Sequence, residues 1–153
     1  MRKKAPLLDG EAPDEEYQLD KDSDLQLLGL PRPAFWRIAD EYNHYPSCKH
    51  AVIEHKSKNL RDSIVQLEST ARHLATVGKN VEVTVIVAER ISHTEAKFYR
   101  KGKDNKLYDR RRGVAVQIRP GNHLVDVLIF YVHEVNKMWD NHSSRLDRYF
   151  KVA

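Results

Sequence analysis

The segment from Cys48 to Ala88 constrains the fold more than any other stretch of the chain. Leu60, Ile64, Leu67, Ala71, Leu74 and Val77 recur at spacings of 4, 3, 4, 3 and 3. That spacing places them on one face of an α-helix. Asn59 stands where an N-cap is expected and Gly78 where a helix stops. Before the helix, Cys48–Lys56 reads as a strand with Ala51–Ile53 in the core. After it, Val81–Ala88 is rich in β-branched residues and free of Pro and Gly, as a buried strand is. Strand, helix and strand in this order predict a βαβ unit with parallel strands.

The remainder is less regular. Pro31 and Pro33 mark a bend. Residues 34–42 suit a short helix, although Phe35, Arg37 and Ala39 also alternate as a strand would. Asn43–Ser47 is a turn signal. Glu95–Lys101 and Gly113–Arg119 read as strands around a turn at Gly102–Asn105. Val125–Val135 reads as a strand and Ser143–Phe150 as a short terminal helix. The expected architecture is an α/β domain over residues 25–153, with a mixed central sheet flanked by helices.

Charge divides the chain. Residues 1–30 hold four basic and eight acidic side chains, and the rest holds 22 basic and 14 acidic. The first 24 residues are polar with scattered Leu and Ala, so a flexible acidic N-terminal tail is expected. A single cysteine, Cys48, excludes an intramolecular disulfide framework and a Cys-rich zinc site. It is expected to be a small buried residue. The longest apolar run, Leu124–Val132, is interrupted by Asp126 and falls well short of the roughly 20 residues that span a bilayer. No apolar core follows Arg2–Lys4, so no secretory signal is read. A reducing, cytoplasmic setting without membrane partners is expected.

Chemistry concentrates in Val52-Ile53-Glu54-His55-Lys56. On a strand, Glu54 and Lys56 share a face and His55 takes the other. A carboxylate can ligate Mg²⁺ or Mn²⁺, and a neighbouring ammonium can orient a water or stabilise charge on a phosphate. His44, His50 and His55 are close in sequence but lack the spacing of a zinc motif. There is no Gly-rich phosphate loop, dinucleotide fingerprint or Gly-x-Ser-x-Gly elbow.

An apolar strand ending in Glu-x-Lys, a helix carrying Gln66-Leu67 and a β-branched strand together resemble the PD-(D/E)XK nuclease superfamily, which includes restriction endonucleases. The resemblance covers about a quarter of the chain. It implies a restriction-endonuclease-like fold, with Glu54 as a metal-binding carboxylate, Lys56 as the motif lysine and Gln66 as the helix glutamine that shapes the site. The family carries an Asp, often after Pro, at the start of the preceding strand. No Pro-Asp stands at a suitable spacing here, and Asp40, 14 residues before Glu54, is the nearest substitute. The implied activity is Mg²⁺- or Mn²⁺-dependent phosphodiester cleavage with Glu54 and Asp40 holding the metal. The alternative is a non-catalytic nucleic-acid-binding or assembly protein on the same fold.

Lys97–Arg112 holds eight basic and two acidic residues, with Phe98, Tyr99 and Tyr108 interleaved. Lys101, Lys103, Lys106, Arg110, Arg111 and Arg112 are therefore expected to contact nucleic-acid phosphates, and the rings to stack on bases. By analogy with small nucleases, a homodimer is expected, with Leu128–Tyr131 at its interface.

Overall fold

The computed structural model describes residues 3–30 and 38–152, with side chains described as far as residue 144. The central sheet has the strands β1 (Glu15–Gln18), β2 (Glu41–His44), β3 (His50–His55), β4 (Val83–Ala88), β8 (Gln117–Ile118) and β9 (Val125–Tyr131). A second sheet has β5 (Tyr99–Lys101), β6 (Leu107–Asp109) and β7 (Val114–Ala115). The helices are α1 (Asp22–Leu28), α2 (Leu60–Ala75) and α3 (Val132–Val152), and a 3₁₀ turn spans Glu95–Lys97. The fold is mixed α/β.

The six strands of the main sheet run in the order β1-β2-β3-β4-β9-β8. β1, β2 and β3 form an antiparallel meander. β3, β4 and β9 are parallel neighbours, and β8 closes the far edge antiparallel to β9. The βαβ expectation holds: β3 and β4 are parallel and α2 connects them. The Asn59 side chain caps α2 by accepting from Asp62 N at 2.8 Å. Gly78, at φ +78°, turns the chain out of it.

Strand alternation separates two cores. Val52 and Ile86 pack with Leu60, Leu67, Ala71 and Leu74 of α2. Ala51, Ile53, Val85 and Val87 pack with Val135, Met138 and Trp139 of α3. Consecutive residues at the end of β3 therefore serve opposite faces of the sheet.

Several expectations are corrected. The acidic N-terminal segment is built into the fold rather than trailing from it. Ala5, Leu8 and Leu19 are buried, and β1 pairs with β2. The scattered apolar residues supply inward contacts, while Glu15 and Glu16 face solvent on an edge strand, where charge discourages pairing with another chain. Of the helix expected over residues 34–42, residues 34–37 lie outside the described residues. Glu41 and Tyr42 belong to β2, because their backbones pair with Ile53 and Val52.

Glu95–Lys97 is a 3₁₀ turn, so the strand expected from Glu95 begins only at Tyr99. Gly113–Arg119 is divided between two sheets, as β7 and β8, with Val116 as the joint. The strand expected to reach Val135 stops at Tyr131. There Glu134 accepts from Tyr131 N at 2.8 Å and starts α3 well before the expected Ser143. Cys48 is exposed in the β2–β3 turn at φ 64°. Leu128–Tyr131, expected at a dimer interface, lies in β9, with Ile129 and Phe130 buried in this chain's own core.

Candidate active site

β3 ends with Glu54 on the α2 side. The β2–β3 register, in which Glu41 faces Ile53, sets Asp40 opposite Glu54 at the start of β2. Asp40 Oδ2 accepts from His55 N at 2.7 Å, which fixes the carboxylate at the strand end. Glu54 is buried, and its side chain is in hydrogen-bonding contact with Asp40. Burial first, then the hydrogen bond and charge of Asp40, push the Glu54 carboxyl up from 4.5 to about 9. At neutral pH and without a cation, Glu54 therefore holds its proton.

α2 holds the Asp40 segment in place. Thr70 Oγ1, fully buried, accepts from Ala39 N at 2.7 Å. Gln66 Nε2 reaches Ile38 O at 3.5 Å. Gln66 and Thr70 are one turn apart, on the helix face that meets residues 38–40.

Lys56 follows β3 and is largely enclosed. Its ammonium donates to Glu95 Oε1 and lies 3.4 Å from Arg90 O. Glu95 also accepts from Leu60 N at 2.6 Å and from Ser92 N at 3.2 Å. Burial alone would raise the Glu95 carboxyl, but Lys56 and these amides outweigh it and hold it below the usual range. One carboxylate thus anchors both Lys56 and the start of α2.

The other face of the sheet carries a second polar group. His55 Nε2 lies 3.2 Å from Glu41 Oε2, and Gln18 Nε2 donates to Glu41 Oε1 at 2.8 Å. Glu41 is 2% exposed and His55 7%. The Asn43 amide is also buried and finds no geometrically sound hydrogen bond among the described residues.

The basic residues of 97–112 divide into two groups. Lys101 pairs with Glu134 at 3.6 Å and Lys106 with Asp126 at 3.1 Å, so both are engaged within the fold. Lys103, Arg110, Arg111 and Arg112 are exposed on the turns of the small sheet. Phe98 and Tyr108 are not bare stacking platforms. The guanidinium groups of Arg111 and Arg100 lie 4.2 Å from their ring centroids. Beside this wing, a hollow of about 750 Å³ is lined by Arg61, Glu95, Tyr99 and Arg111. It adjoins the Lys56 anchor through Glu95.

Sequence reasoning named Asp40, Glu54 and Gln66; the fold sets Asp40 against Glu54, and Gln66 lies nearby on α2, facing Ile38. Lys56 is adjacent, turned to Glu95. Thr70, Glu95, Glu41 and His55 were missed as site residues. Thr70 was legible as the residue one turn beyond Gln66. Glu95 and the Glu41–His55 pair needed tertiary contacts and strand register. Asp14, Glu15 and His44 also cluster, with ligand atoms within 4.8 Å of one another. They are partly exposed, and the His44–Asp14 contact of 2.7 Å accounts for the grouping.

Two facing carboxyl groups are hard oxygen donors, which suits Mg²⁺ or Mn²⁺. Glu54 must lose its proton to ligate either ion. Compared with known protein families, curated proteins and solved structures, the chain finds no match in any of the three.

Proposed function

We propose that this protein is a metal-dependent, phosphodiester-cleaving nuclease with a restriction-endonuclease-like fold. The observation that carries the reading is the Asp40–Glu54 carboxyl pair at the ends of adjacent strands, followed by Lys56 and flanked by Gln66. In this reading Asp40, just before β2 and preceded by Ala39, substitutes for the superfamily's aspartate.

Bound Mg²⁺ or Mn²⁺ would supply Lewis acidity and lower the pKa of its water. Asp40 and Glu54 hold the cation. Lys56 orients the attacking water or stabilises charge on the phosphate, and Glu95 keeps its ammonium in place. Gln66 and Thr70 keep Asp40 at the strand end. Arg110–Arg112 and Lys103 hold the nucleic-acid backbone, while Lys101 and Lys106 chiefly brace the wing.

The test is a nuclease assay on plasmid and single-stranded substrates with Mg²⁺, Mn²⁺ or EDTA. Lys56→Ala and Glu54→Gln serve as controls, with folding checked by circular dichroism. Cleavage that needs metal and disappears in both folded variants is the expected result. A second reading, a nucleic-acid-binding protein without cleavage, draws on the proton held by Glu54 and the pairing of Lys56 with Glu95. It predicts binding that is indifferent to Mg²⁺ and abolished by replacement of Arg110–Arg112.

A further inference from the structure

On the α3 side of the sheet, opening past the strand ends to Lys56 and Ser57, lies a cleft of about 790 Å³. Three features converge on it. Its floor is the carboxyl end of β3 and β4, through His55 and Val87. One wall is the first turn of α3, where Val132, Val135 and Asn136 stand. That end of the helix carries the positive pole of its dipole. The rim carries Lys3, Lys4, Lys58 and Arg90. Glu89 and Asp140 are the acids in the lining.

The geometry is fixed from within. Trp139 Nε1 donates to Ala5 O at 2.7 Å, and Tyr45 Oη donates to Pro6 O at 2.7 Å. These bonds pin the N-terminal segment against α3 and the β2–β3 turn and hold Lys3 and Lys4 over the cleft. The Lys4 ammonium lies 5.7 Å from the Trp139 ring centroid. Lys58 and Arg90 are exposed and form no ion pair with another described residue. His55 is buried, with Nε2 oriented by Glu41, so its ring has a fixed attitude at the floor.

We propose that this cleft is a phosphate-binding site that adjoins the Asp40–Glu54 pair through Lys56. Its phosphate group is bound between the Lys3, Lys4, Lys58 and Arg90 rim and the His55 floor. The proposal deepens the nuclease reading by giving the nucleic acid a second phosphate anchor that is continuous with Lys56. The cleft's charge and shape do not depend on that reading. The phosphate comes either from the interior of a strand or from its 5′ end.

The experiment uses the full chain in EDTA, so that cleavage plays no part. Fluorescence anisotropy follows a short 3′-labelled single-stranded oligonucleotide, with and without a 5′-phosphate, across a salt series. The variants are Lys58→Ala/Arg90→Ala, on exposed positions that spare the core, and His55→Gln. The double variant is expected to weaken binding about tenfold or more and to flatten the salt slope by about 0.7 for each phosphate it no longer neutralises. Weakening confined to the 5′-phosphorylated oligonucleotide assigns the site to strand ends. Equal weakening for both assigns it to the backbone. Unchanged affinity and slope in the double variant overturn the proposal, while the cleavage assay with Glu54→Gln still judges the nuclease reading separately.

If the wild-type chain binds no oligonucleotide, inorganic phosphate is titrated while the His55 ring resonances are followed by NMR. The resonances are identified by their disappearance in His55→Gln. Saturable shifts in the wild type that the double variant lacks keep the cleft as a phosphate site, and the cleavage assay in Mg²⁺ or Mn²⁺ judges the nuclease reading. No shift overturns the cleft proposal.

Discussion

Glu54 binds its proton more tightly in the folded chain, at about 9, than the ordinary 4.5 of an open one. Across that window the folded state holds more protons than the unfolded state. The stabilisation is fully present below about 4.5, falls as the pH rises and is lost above about 9. In EDTA, the melting temperature should fall from about pH 5 to pH 9. Glu54→Gln, which keeps a neutral donor beside Asp40, should flatten that fall and melt higher than wild type at pH 9. A wild-type protein equally stable at both ends would contradict the assignment. Thr70→Val removes the acceptor for the Ala39 amide, so a buried donor is left unsatisfied. The expected cost is about 1–3 kcal/mol by chemical denaturation. The Asp40–Glu54 pairing was within reach of the sequence because both residues flank one short hairpin. The Glu41–His55 pair was not, because the two lie diagonally rather than opposite across the hairpin, with Glu41 facing Ile53, and no motif marks them.

The elements differ in how much of themselves they display in sequence. α2 was legible because its apolar stripe runs unbroken from Leu60 to Val77 and its cap is an Asn. α3 was not, because Val132 continues the β-branched run of β9 and the helix opens on Tyr131, a residue that does not advertise a cap. Its inward stripe, Val135, Met138 and Trp139, is short. At the start of α2, Asn59 and Glu95 serve different amides. Asn59→Ala should cost about 1 kcal/mol. Glu95 reaches further, since it also holds Lys56. A double-mutant cycle with Glu95→Gln and Lys56→Met should return a coupling of about 1–3 kcal/mol. A value near zero would mean that the two groups are solvated independently.

For the molecule as a whole, the main surprise is the N-terminus. Composition marked residues 1–24 as a tail because acids outnumber apolar residues there. A few well-spaced apolar residues are nonetheless enough for a segment that adds to a sheet already formed. Ala5, Leu8 and Leu19 are buried, and β1 completes the meander beside β2. Removing residues 1–19 should therefore lower the melting temperature by well over 10 °C or abolish cooperative melting, since several buried side chains and a strand go together. A true tail could be cut without effect. No helix among the described residues is long and apolar enough to cross a membrane.

Val116 donates to Leu107 O at 2.8 Å in the small sheet, and its carbonyl accepts from Val127 N at 2.9 Å in the large one. A single residue is thus a splice between two hydrogen-bonded lattices. An inserted residue there would throw both ladders out of step at once, whereas Gly121 and Asn122, at the tip of the β8–β9 loop, are exposed. Natural or engineered lengthening between these strands should therefore be tolerated at residues 121–122 and rejected at 115–117. The basic wing cannot drift relative to the carboxyl pair without unzipping the sheet that carries it.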